Sequence, residues 1–218
     1  MTLARGPERI ALSFDPRLQG LEDNVRFRMT YEGDLKHNGG VDHIHTIRKK
    51  FHLQLKRLWE IHPMLLWRNQ GTGAERHAEK LADRYERGAY RFVPLASDLC
   101  VSEYGEAPPI VSLDILFLRS GPPGGLRNTG DIDNRLNTIF DALRMPTQTQ
   151  ELGSYKTPEE GENPFYVLMH DDKIVGNVSI VTDTLLEPTP GQALYSTHDA
   201  RIIIAVEIQT PEGHNYAP

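Results

Sequence analysis

Cysteine occurs once, at Cys100, in a chain of 218 residues. One cysteine excludes an intramolecular disulfide and any zinc site built on several thiolates. In an apolar-leaning segment it reads as a small buried side chain rather than a nucleophile. Long apolar runs are missing too. None approaches the ~20 residues that span a bilayer, and the first residues lack a basic stretch followed by an apolar core. A cytoplasmic protein without membrane contact is the expectation. Positive charge is not in excess: 24 Lys and Arg against 30 Asp and Glu leave a net charge of −6. That balance argues against a uniformly basic nucleic-acid binder, although a whole-chain sum says little where charge is segregated. There is no internal repeat and no heptad run, and Gly71-Thr72-Gly73 lacks the Gly-Lys-Ser/Thr of a phosphate loop.

What is present suits one buried core. Hydrophobic residues make up 39% and charged residues 25%, ordinary values for a globular protein. The length fits a single domain, 1–218, with elaborations. Val25, Phe27, Met29 and Tyr31 alternate with Arg26, Arg28, Thr30 and Glu32, a period of two that predicts a half-buried strand. Its outer face carries Arg26 and Arg28, either as a solvated sheet face or as a strip that meets phosphate. A turn-rich loop with Lys36 and His37 follows. Residues 41–61 repeat apolar side chains at helical spacing, with Arg48-Lys49-Lys50 and Lys56-Arg57 on the same helix. His43 and His45, two apart, face away from each other on such a helix, which argues against a zinc site there. Residues 74–90 predict a second helix, rich in Ala, Glu, Lys and Arg.

Strands follow at 92–102, at 110–118 and at 165–169, then from Asp172 to about 186 and over 201–209. The strand at 110–118 is apolar enough for a central place in the sheet. Residues 119–130 form a Pro/Gly-rich loop whose Arg119 and Arg127 either meet phosphate or serve a solvated loop. Residues 146–164, polar and rich in Pro, Gly and Glu, read as an insertion or partly disordered loop.

The chain is organised around residues 130–143. Ile132, Leu136, Ile139, Phe140 and Leu143 make an apolar helical stripe, while Asp133, Asn137 and Asp141 line another face. Asp131 and Asp133 open this helix, where acids are favourable for dipole reasons alone. A second acidic pair, Asp171-Asp172, stands between two strand-like runs, where acids often mark a turn. Should the two pairs converge, their mutual repulsion would call for a divalent cation, and an all-oxygen ligand set suits Mg²⁺ or Mn²⁺.

Asp131-Ile132-Asp133-Asn134, then Phe140-Asp141-Ala142-Leu143, then His170-Asp171-Asp172-Lys173-Ile174-Val175 resembles the RusA-like Holliday junction resolvases, over roughly residues 110–182. The resemblance implies an α+β fold: a mixed β-sheet with helices packed mainly on one face. The core would cover roughly 24–61 and 92–210, with a helical elaboration at 64–90 and a loop insertion at 146–164. It implies Asp131, Asp133 and Asp172 as a catalytic, metal-holding triad with Asp171 beside them, and a homodimer acting on branched DNA in recombination and repair. The expected activity is Mg²⁺-dependent endonuclease cleavage by metal-activated water, with Arg135 or Lys173 supplying transition-state charge. Where the family carries a Lys one turn after the second Asp, this chain has Asn137, and its connection to Asp171-Asp172 is longer. Those departures support the alternative, a weakly active or inactive relative that binds branched DNA or a protein partner.

Overall fold

The structure is a computed structural model that describes residues 24–37, 39–62, 65, 77–97, 109–120, 132–192, 196 and 198–209. Asp131, Arg127, Cys100 and Gly71 to Gly73 lie outside them. The elements run β1 (Asn24–Asp34), α1 (Val41–Ile61), α2 (His77–Arg84), β2 (Glu86–Arg87), β3 (Tyr90–Ala96), β4 (Ile110–Arg119), α3 (Ile132–Leu143), β5 (Phe165–Met169), β6 (Val175–Thr184) and β7 (Asp199–Gln209). The fold is α+β, as expected.

The strands form two sheets. The larger has the order β1-β7-β4-β6 and the smaller β2-β3-β5. In the larger, β7 runs antiparallel to both β1 and β4, and β6 runs parallel to β4. β4 is central, as its apolar second half implied. β5 pairs in parallel with β3, so the chain passes from the small sheet into the large one twice along parallel tracks, β3 to β4 and β5 to β6.

Alternation decides what each strand buries. Val111, Leu113, Ile115 and Phe117 of β4 face the core, and the same parity carries Arg119 into it. On β1, Val25, Met29 and Tyr31 are buried while Arg26 and Arg28 are exposed. Helix α1 buries Ile47, Phe51, Leu55 and Trp59, and also His45, Arg48 and His52. The polar residues belong because α1 touches the large sheet on one side and β5 and α3 on others.

Three local features differ from what sequence alone suggests. The second helix is shorter than 74–90. Its described part ends at Arg84, and Glu86–Arg87 pairs with Tyr90–Arg91 as a tight hairpin. Gly88, at φ +61, supplies the left-handed residue that such a two-residue turn needs. The basic run on α1 is engaged rather than only solvated, although Lys50 stays exposed. Arg48 is buried, Lys49 reaches Glu159 and Glu162 at 2.8 Å each, and Lys50 donates to the Glu32 carbonyl at 2.6 Å. The 146–164 segment is not a loose flap either. Leu152 and Glu162 are buried, Ser154 N–H donates to Asp42 at 2.6 Å, and the His52 ring and Lys56 both meet the Gly161 carbonyl.

Candidate functional site

The sheet has one chemically unusual end. Strands β1 and β4 finish there, β7 starts there, and the first half of α3 lies against it. Register fixes the convergence: Asp34 pairs with Asp199, and Arg119 with Ala200. Leu35 N–H donates to the His198 carbonyl at 2.7 Å, Ser120 N–H to the Asp199 carbonyl at 3.3 Å, and Thr138 Oγ1 to the Lys36 carbonyl at 3.4 Å. His37 and His198 stack with ring centroids 6.0 Å apart. His43, from the first turns of α1, accepts from the Lys36 N–H at 3.3 Å.

Two guanidinium groups meet at this end. Arg119 is 7% exposed and Arg135 is 1% exposed. Burial holds the Arg135 pKa below its ordinary value, the neighbouring Arg119 charge adds to that, and Asp34 opposes it. The Arg119 carbonyl is occupied by the Leu185 N–H at 2.8 Å. Its Nε, however, and the Nδ1 atoms of His37 and His198, are buried without a hydrogen-bond partner among the described residues. Leaving a buried donor unmade costs about 1–3 kcal/mol, and placing two cations together in a poorly hydrated place costs more. Lys36 is exposed and stands 3.9 Å from Asp34. The first turn of α3 adds the partial positive charge of its helix dipole. Asp34 offsets part of this positive charge, and guanidinium pairs match the oxygens of a phosphate.

The other candidate residues are scattered. Asp133 is exposed in the first turn of α3, close in sequence to Arg135, and accepts from the Asn134 N–H at 2.8 Å. Asp171 and Asp172 stand at the opposite end of β4, because Val175, just beyond them, pairs with Val111. From Val111 to Arg119 the strand covers roughly 25 Å at ~3.3 Å per residue. Asp171 caps a 3₁₀ turn over Asp172–Ile174 by accepting from the Lys173 N–H at 3.0 Å, which lowers its pKa. That is the turn role an Asp-Asp pair between strands has by default. Lys173 is 86% exposed and lies 3.4 Å from Asp171.

Of the first acidic pair only Asp133 lies among the described residues, and it stands apart from the second pair. Asp133 does not share a space with Asp171 and Asp172, and among the described residues no group of three His, Cys, Asp or Glu is placed to hold a metal ion. Asp133, Asp171 and Asp172 therefore do not converge on one cation. Asp141, on the same helical face as Asp133, accepts from Arg144 Nε and Nη2 at 3.0 and 2.6 Å, a structural ion pair. Arg26 is held by Glu207 at 2.5 Å, and Arg28 is exposed near it, toward the end of β1 far from Lys36.

Sequence reasoning named Arg119, Arg135, Lys36 and His37 here, without a role for His37, and passed over His198. The signal for His198 was its place one residue before a buried strand that pairs with β1, and only the pairing shows that. No helix of the described residues is long and apolar enough to cross a membrane. Neither a family model, a curated protein nor a solved structure matches the chain.

Proposed function

We propose that the chain binds the phosphate backbone of branched DNA at the Arg119–Arg135 end of its large sheet, as a RusA-like protein whose cleavage activity is weak or absent. The observation that carries this reading is the pair of buried guanidiniums, with a buried Arg119 Nε left without a partner among the described residues. Flanking Lys36 and the α3 N-terminus extend the positive field toward solvent. The preference for branched over linear DNA rests on the resemblance of residues 131–143 and 170–175 alone. The test is fluorescence anisotropy with a synthetic four-way junction, a linear duplex and a single strand. Arg135→Ala should weaken junction binding at least tenfold, in line with loss of a charge-assisted contact worth about 1.5–3 kcal/mol. Unchanged affinity in that variant defeats the reading.

A second reading, Mg²⁺- or Mn²⁺-dependent endonuclease cleavage of the same DNA, is favoured by one observation. Asp133 is exposed in the first turn of α3, at the cationic end, and has no basic side-chain partner among the described residues. A junction-cleavage assay with either metal separates the two. If cutting occurs and stops in both Asp133→Asn and Asp172→Asn, the metal-dependent reading replaces the binding one. Cutting that survives Asp172→Asn agrees with the distance between the acidic pairs.

A further inference from the structure

The cationic end of the large sheet holds three buried nitrogens without a hydrogen-bond partner among the described residues: Arg119 Nε, His37 Nδ1 and His198 Nδ1. They come from three segments, the end of β4, the loop after β1 and the residue before β7. The ladders bring those segments together. Arg119 pairs with Ala200, Asp34 pairs with Asp199, and Leu35 N–H donates to the His198 carbonyl. The two imidazoles stack at 6.0 Å. Arg119 and Arg135 are buried while Lys36 is exposed, so the guanidiniums are recessed and the ammonium is not. The other polar groups at this end are partly engaged. Asp199 is buried and accepts from the Thr189 N–H at 2.9 Å and from the Thr189 hydroxyl. Asp34 stands 3.9 Å from Lys36, and His43 Nε2 accepts from the Lys36 N–H.

We infer that this seat takes the terminal phosphate of a nucleic-acid strand in preference to a phosphate inside the strand. The inference rests on phosphate binding at this end, as proposed above, and names which phosphate fits best. A phosphate inside a strand carries one charge and offers two free oxygens, with a sugar on each side. A terminal phosphate carries a charge of roughly −2 and offers three acceptor oxygens, with a sugar on one side only. Three unfilled nitrogens suit three oxygens. With a proton on Nδ1, each imidazole donates as Arg119 Nε does, and a dianion beside it favours that proton. Asp34 offsets part of the charge of Lys36 and Arg135, and a dianion matches more of the remainder than a single charge does. Depth points the same way. A second sugar holds a phosphate away from groups below the surface, whereas a strand end can approach recessed guanidiniums directly.

The experiment is fluorescence anisotropy on the full chain, with circular dichroism to check folding. One synthetic four-way junction is prepared with hydroxyl ends, with 5′-phosphates or with 3′-phosphates. One phosphorylated form should bind about tenfold or more tightly than the hydroxyl form, and which one it is names the end. Combining His37→Gln with His198→Gln should remove that gain and leave hydroxyl-ended binding in place. Arg57→Ala, at an exposed basic residue of α1, should leave the gain intact. Inorganic phosphate should compete against the phosphorylated form more strongly than potassium chloride of equal ionic strength does. Equal affinity for all three junctions overturns the inference and leaves the backbone reading standing. A gain that survives the double histidine variant, or that Arg57→Ala also removes, overturns it too. Failure of the backbone reading looks different: hydroxyl-ended binding is then indifferent to Arg135→Ala, and the inference falls with it.

Discussion

Arg119 is where sequence parity and function conflict. It ends a strand whose alternate residues are Val111, Leu113, Ile115 and Phe117, so the backbone delivers a guanidinium to a position made for an apolar side chain. For stability alone, a thioether would serve better there. Arg119→Met should keep or raise the melting temperature while lowering junction affinity about tenfold or more, read by calorimetry and anisotropy on one preparation. A variant that melts lower and binds as before would make Arg119 structural. His45 makes a different point. Burial, then the positive Arg48 beside it, pushes its pKa down to about 3. Between there and the ordinary histidine value of 6.5, the unfolded chain takes up a proton that the folded chain refuses. Stability is therefore complete above pH 6.5 and falls as pH drops toward 3. Urea titrations at stepped pH should show the loss, and His45→Phe should flatten it. Parity would have buried Arg119 had the strand been carried one residue past 118, but the Pro/Gly-rich stretch after it drew Arg119 into the loop reading. The burial of His45, Arg48 and His52 was not readable, because helical periodicity marks a polar residue as outward unless a second packed face is known.

At the scale of elements, the joint between α1 and α3 is held by one side chain. Arg48 donates through Nη2 to the Asp141 carbonyl at 2.6 Å and through Nε to the Arg144 carbonyl at 3.2 Å, and its Nη1 lies 3.2 Å from His45 Nδ1. Those carbonyls belong to the last turn of α3 and to the residue after it, where helices leave acceptors unmet. Burial, then the nearby Arg144 charge, lowers the Arg48 pKa to about 10, so it stays charged at neutral pH. Arg48→Ala should cost about 2–4 kcal/mol of unfolding free energy, and denaturant midpoints on both chains measure it. The boundaries of α1 and the positions of β1, β4, β5 and α3 could be read from period and punctuation alone. The 146–164 segment could not, because its order comes from distant partners. Gly153, at φ +59, brings the backbone so close to α1 that a Cβ there would overlap the Asp42 carboxylate. A composition rich in Gly and Glu looks the same whether such partners exist or not.

For the whole molecule, net charge is a poor guide because many acids are already engaged. Glu159 and Glu162 hold Lys49, Glu151 and Asp141 hold Arg144, and Asp171 holds Lys173. The cationic end is left to act locally. With Lys36, Arg119 and Arg135 as its phosphate contacts, log affinity for a junction should fall with log salt at a slope of roughly −3. A slope near zero in anisotropy titrations from low to high salt would mean that phosphate is not what binds. The candidate site was half visible in the sequence for a related reason. Its helix and arginines lie in one stretch of chain, whereas its histidines come from loops at residues 37 and 198.

That same distance along the chain bears on how the protein is made. Strand β1 completes its ladder only with β7, pairing Asn24 with Gln209 and Asp34 with Asp199. A ribosome releases β1 long before β7, so the earlier strand waits without its neighbour while the residues between them are made. Wide separation of this kind slows folding, because a long loop must close before its contacts repay the lost entropy. Nascent chains halted before residue 199 should therefore be digested by protease along β1, while full-length chains resist.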